Sequence, residues 1–142
     1  VALICDTGPL YAAMDEADED HAVCVELIAQ RTEQLVVPAP VLVELEWLAS
    51  SRLGPLVFDA FLADVEDGTV RVIDLTPADY RRVRELTRHY SDLPLGFVDA
   101  SVLAITERLQ EPKLATLDHR HFRVVRPRHV GTLALLPEEL RR

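Results

Sequence analysis

The chain has 142 residues, 24 acids against 15 bases for a formal net charge of −9, and is 49% hydrophobic and 27% charged. That size and mix suit one globular domain over residues 1–142 and exclude a disordered chain, and no apolar run reaches the roughly 20 residues a membrane-spanning helix needs. The negative balance argues against holding nucleic acid by general electrostatic attraction, but it suits an acidic site that takes a cation which then meets phosphate, or a partner with a basic segment.

Val1 to Cys5 is an unbroken apolar run, the pattern of a central parallel strand covered on both faces, and Asp6-Thr7-Gly8-Pro9 turns the chain out of it. With no signal-peptide pattern and no initiating Met, the chain is expected to begin inside this strand with at least one residue lost. Pro9 to Met14 reads as a short helix. Asp15, Glu16, Asp18, Glu19 and Asp20 then precede a helix expected over 17–31, where acids near the start are favourable by about 0.3–1 kcal/mol each, so a solvated helix start accounts for them. Leu35 to Val37 reads as a short buried strand. Pro38 and Pro40 lead into a helix over 41–53, closed by Gly54 and Pro55, and 56–67 is the second helix of a hairpin. A strand follows from Val70 to Leu75. Thr76 caps a helix with Pro77 at its first position, running to about Tyr90 and carrying Arg81, Arg84 and Arg88 on one face.

After a loop over 92–96 comes a helix over 97–109, almost wholly apolar as far as Ile105. Lys113 to Leu117 is a strand, Asp118 opens a turn or short helix, and Val124 with Val125 makes a last short strand. The apolar run Leu133 to Leu136 and a short polar terminus complete the chain. Strands alternating with helices predict an α/β domain with a mainly parallel sheet. Cys5 and Cys24, one in a strand and one on a helix face, read as buried thiols in a reducing cytoplasm.

Four acids stand in apolar settings. Asp6 closes the first strand, where open α/β sheets build their sites, although Asp is also a common helix cap. Glu44 has Pro40, Val41, Trp47 and Leu48 as its helical neighbours; Glu46 has Leu42, Val43, Ala49 and Ser50, so spacing leaves the choice between them open. Asp99 is the one charge between Phe97 and Ile105, on a helix apolar all round, where an ionised acid costs several kcal/mol unless paired. Asp118 follows the strand over 113–117 as Asp6 follows the first, and Thr7 and Thr116 supply a nearby hydroxyl in each case, candidates for contact with substrate.

If these acids converge, carboxylates about 4 Å apart repel by on the order of 4 kcal/mol per pair at an effective dielectric of roughly 20, which calls for a cation or for protonation. Hard oxygen ligands favour Mg²⁺ or Mn²⁺ over zinc, and such a site fits metal-assisted phosphodiester hydrolysis. Arg120 and Arg123, beside Asp118, are the nearest bases for a substrate phosphate. No glycine loop to cradle phosphate is present, His119 and His121 read as surface histidines rather than a zinc site, and Ser101 lacks a nucleophile elbow.

The segments CDTGPLYA, VPAPVLVELEWL, DLPLGFVDASVLAI and LATLDHRHF, in that order and followed by RVVRP and LALLP, resemble the PIN-domain ribonucleases, in particular VapC-type toxins of bacterial toxin–antitoxin pairs. The resemblance implies a single PIN-like domain, a parallel five-stranded sheet with helices on both sides. It implies that Asp6, Glu44, Asp99 and Asp118 are catalytic and bind Mg²⁺ or Mn²⁺, with Glu44 chosen over Glu46, and that RNA, single-stranded or structured, is cleaved. It further implies a cytoplasmic homodimer with no membrane partner, a VapB-like antitoxin that blocks the site, and operator DNA met only through that antitoxin. The antitoxin is expected to lay an apolar face beside the hairpin of residues 41–67, near Trp47, Phe58 and Phe61, and to send an Arg to the acids. Thr7 matches a small hydroxyl residue of the family, and Asp92 a frequently acidic position without an assigned role. Two other readings remain in play. A non-catalytic PIN-like module docking a basic partner predicts no dependence on divalent metal. A phosphatase with a strand-end nucleophilic Asp is weakened because its second Asp, two residues on, is here Gly8.

Overall fold

The computed structural model describes residues 1–138; the polar terminus, residues 139–142, lies outside them. In chain order the elements are β1 (Ala2–Ile4), α1 (Thr7–Met14), α2 (His21–Ala29), β2 (Gln34–Pro38), α3 (Ala39–Leu53) and α4 (Pro55–Glu66). They continue with β3 (Val70–Ile73), α5 (Pro77–His89), α6 (Phe97–Arg108), β4 (Lys113–Ala115), α7 (His119–Val124) and β5 (Ala134–Leu136).

All strand pairings are parallel. β1, β2 and β3 form one ladder and β4 and β5 another. A bridge between Cys5 and Ala115 joins them, with the Asp6 amide donating to the Ala115 carbonyl at 2.9 Å, so the spatial order is β3-β2-β1-β4-β5. The expected five-stranded parallel sheet is present, narrowed to this bridge at its centre. Consecutive residues Leu3, Ile4 and Cys5, and Leu35, Val36 and Val37, are all buried, which requires cover on both faces of the sheet. The chain adds β2 and β3 on one side of β1 and β4 and β5 on the other. The carboxyl ends of β1 and β4 therefore flank a topological switch point, the crevice where open α/β sheets place their ligands.

α6 is buried from Ala100 through Thr106, hence on every side, as its apolar sequence predicts. It lies against α3, α5 and β2. At its far end Arg82 donates to both carboxylate oxygens of Glu107, at 2.8 and 2.9 Å, and Arg108 to Asp79 at 2.9 Å, fixing α6 to α5.

Two expectations are corrected. Val124 and Val125 do not form a strand: Val124 ends α7 and Val125 is its C-cap, its amide donating back to the His121 carbonyl at 3.3 Å while its side chain is buried in the core. The strand that pairs with β4 is instead β5, within the apolar run 133–136, which presents a buried Leu135 between less buried neighbours. The acidic stretch is a turn rather than a solvated helix start. Asp15 accepts from the Ala17 amide at 3.0 Å, Asp18 from the Asp20 amide at 2.8 Å, and Asp20 is fully buried, so α2 begins at His21 instead of residue 17. Among the described residues no helix is long and apolar enough to cross a membrane.

Candidate active site

Asp6 is the first residue past the Cys5 bridge and caps α1, its Oδ1 accepting from the Thr7 amide at 2.8 Å. Its Oδ2 accepts from the Thr116 hydroxyl at 3.0 Å, and the same hydroxyl oxygen accepts from the Asp118 amide at 3.1 Å. Contrary to the expectation that it meets substrate, Thr116 is wholly buried: it holds the loops after β1 and β4 together. Gly8 allows the same closeness: a Cβ there would lie 3.1 Å from Leu117 Cβ and Cγ, tighter than ordinary packing.

Asp118 caps α7, its Oδ1 accepting from the His121 amide at 3.2 Å. Asp99 sits in the first turn of α6, and Glu44 stands on an exposed stretch of α3 beside Val43 and Trp47. Four elements thus bring Asp6, Glu44, Asp99 and Asp118 around one open pocket of about 360 Å³, with Thr7 in its wall. Glu46 points away and accepts from Ser50 Oγ at 3.1 Å.

No Lys or Arg lines this pocket among the described residues. Burial, and then the charges of Asp99 and Glu44, push the Asp6 carboxyl up to about 7 despite its bonds from Thr7 and Thr116. Burial, and then the charge of Asp118, push Asp99 up to about 6, with His121 opposing. The group therefore resists full ionisation without a cation. Thr7 Oγ1, buried in the pocket wall, has no hydrogen-bond partner. A set of clustered carboxylate oxygens with a spare hydroxyl and no thiolate fits a hard divalent ion such as Mg²⁺ or Mn²⁺.

Arg120 and Arg123 lie on the exposed side of α7 and do not line the pocket. Farther along, Arg128 is committed to Glu85 at 2.5 Å, and Asp92 is exposed in the turn before α6. His119 and His121 are not the free surface residues expected. His119 is buried, its imidazole pushed below its usual range by that burial and then by Arg123. His121 is half-buried and approaches Asp99 and Asp118. Its signal was the three-residue offset from Asp118, which puts both on one side of a helix that starts at the acid.

The PIN domain family matches residues 3–127. Ribonuclease VapC26 of Mycobacterium tuberculosis is 30% identical over 135 residues, which is 95% of this chain and all of that protein. Among solved structures, Mycobacterium tuberculosis VapC20, a Sarcin-Ricin loop cleaving toxin, superposes with a TM-score of 0.77 at 22% identity, over 84% of this chain and 92% of that one. VapBC2 from Rickettsia felis, bound to a DNA fragment from their promoter, superposes with a TM-score of 0.65 at 17% identity, over 95% and 97% of the two chains. With the strand order, the switch-point pocket and these matches together, the chain belongs to the PIN domain family and within it is of the VapC type.

Proposed function

We propose that this chain is a divalent-metal-dependent endoribonuclease, the toxin of a toxin–antitoxin pair, acting in the cytoplasm as a homodimer. One observation carries the chemistry: four carboxylates from separate elements share one pocket, lined by no Lys or Arg among the described residues, at the sheet's switch point. A bound Mg²⁺ or Mn²⁺ would supply Lewis acidity, lowering the pKa of a water and offsetting charge that develops on the phosphate. Asp6, Asp99 and Asp118 would hold the ion, and Thr116 keeps Asp6 and Asp118 in register for it. Glu44, the acid on the outer and exposed wall, orients the attacking water and accepts its proton at a carboxylate oxygen. Arg120 and Arg123 flank the pocket from outside its lining and receive the RNA backbone beyond the cleaved bond.

The antitoxin follows from the relatives and from the surface. An apolar groove of about 340 Å³ runs between α1, α2 and α4, lined by Leu10, Met14, Ile28, Val57 and Phe61 among others, and suits an amphipathic segment. Of the three aromatic anchors expected from the sequence, Phe61 lines this groove, Phe58 packs half-buried against it with ring centroids 6.0 Å apart, and Trp47 belongs to another face.

The test is RNA cleavage by the purified chain with and without Mn²⁺ or Mg²⁺, combined with mapping of RNA 5′ ends after brief expression. Wild type should cleave only with metal. Asp6→Asn and Asp99→Asn should abolish cleavage and growth inhibition while the fold persists, and Glu46→Gln should change little. Metal-independent behaviour, or full activity of Asp99→Asn, would favour the non-catalytic binding module. An inactive Glu46→Gln beside an active Glu44→Gln would displace Glu44 from its role.

A further inference from the structure

We propose that His121 is a nitrogen ligand of the metal site, making it favour first-row divalent ions such as Mn²⁺ over Mg²⁺; this rests on the metal-dependent reading above. One donor atom each from Asp99, Asp118 and His121 lie within 4.8 Å of one another. His121 Nδ1 is 2.8 Å from Asp118 Oδ2 and 3.9 Å from Asp99 Oδ2. That nitrogen is closed to solvent and meets both carboxylates at ion-pair range without a well-aligned hydrogen bond to either.

A donor and an acceptor at such a distance ordinarily point at each other. Two ligands of one ion do not: they lie side by side and both point at the cation. Neighbouring ligands about 2.0–2.1 Å from an octahedral ion are themselves roughly 3 Å apart, close to the separation of Nδ1 and Asp118 Oδ2. α7 sets this arrangement, since the His121 amide binds the other oxygen of Asp118 at 3.2 Å and fixes both residues on one turn. His121 stands behind the lining of the pocket, whose wall Asp99 and Asp118 share with the buried and likewise unpartnered hydroxyl of Thr7, 4% exposed, an independent sign that the pocket receives a ligand.

The choice of ion follows from donor chemistry. Mg²⁺ prefers oxygen and gives up its waters reluctantly, whereas imidazole strengthens binding of first-row divalent ions. An all-carboxylate site lacks that bias; one with His121 has it.

Pulsed electron paramagnetic resonance on the full chain loaded with Mn²⁺ tests this directly, because a bound imidazole nitrogen modulates the electron spin echo. Wild type should show nitrogen modulation, and His121→Gln should lose it while still binding Mn²⁺. Calorimetry should show the Mn²⁺-to-Mg²⁺ affinity ratio falling about tenfold in that variant, in line with the loss of one ligand or orienting partner. Mn²⁺ bound to wild type without nitrogen modulation overturns the role of His121 and leaves the metal site standing. Modulation that persists in His121→Gln overturns it as well, since another residue would then supply the nitrogen. Failure of wild type to bind Mn²⁺ at millimolar concentration overturns the metal-dependent reading itself. The wild-type spectrum decides even if the variant does not fold.

Discussion

Asp6 and Asp99 are held where their charges are opposed, first by burial and then by a neighbouring carboxylate, Asp99 for Asp6 and Asp118 for Asp99, with carboxyls pushed up to about 7 and about 6. A carboxyl raised in the folded state contributes stability that is fully present below its unfolded value and is lost as pH rises through the folded one. The metal-free protein should therefore lose stability from about pH 4 to about pH 7 through these two groups, and a divalent ion should restore it above that range by linkage. Metal must displace their protons, so Mn²⁺ affinity by calorimetry should fall on the order of 100-fold between about pH 8 and about pH 5.5. Asp99→Asn should raise the metal-free Tm at about pH 8 and abolish the gain from Mn²⁺; a lower Tm would show that the acid is not repelled in the empty pocket. Asp99 was legible in the sequence because one charge on an otherwise apolar helix needs a reason. Glu44 and Glu46 were not separable by spacing, since both have apolar helical neighbours, and only the packing of α3 turns Glu44 to the pocket and Glu46 to Ser50. His121 was missed because its direction depends on α7 starting at Asp118, a local cap that two histidines two residues apart do not reveal.

At the scale of elements, apolar runs and helix caps located eleven of the twelve segments among the described residues, because burial and capping are local properties of sequence. The fifth strand was misplaced because two adjacent valines fit a strand as well as they fit a buried helix end, and pairing with β4 is decided far along the chain. Surface faces are less legible than buried ones. α3 and the start of α6 carry Glu44 and Asp99 to the site, and on their outer side leave Val43, Trp47 and Phe97 75%, 65% and 51% exposed around an apolar groove of about 500 Å³. Large apolar side chains grouped in the open mark an interaction surface. The homodimer proposed above would cover this face, setting two pockets near a common groove. Trp47→Asp should then run as a monomer in light scattering while still binding Mn²⁺; an unchanged mass would place the dimer contact elsewhere.

Over the whole molecule the net charge of −9 was plain from composition, but its placement was not: the carboxylates of one pocket come from residues as far apart in the chain as Asp6 and Asp118. That concentration makes the site a target for a cationic side chain as well as for a metal, and the two would compete for the same oxygens. The proposed antitoxin has an apolar groove at α1, α2 and α4 to supply affinity and an acidic pocket to receive an Arg, so docking and inhibition are separable in principle. Co-expression with the neighbouring open reading frame should yield a complex whose RNA cleavage is suppressed. Replacing the Arg that reaches the pocket should restore part of the cleavage while the complex stays intact by light scattering, because the groove contacts remain. Raising Mn²⁺ should also restore part of it in the unsubstituted complex, since the ion displaces the guanidinium from Asp6, Asp99 and Asp118. Full inhibition after the Arg substitution, at every Mn²⁺ concentration, would instead mean that the antitoxin blocks RNA by covering the mouth of the pocket, with its charge playing no part.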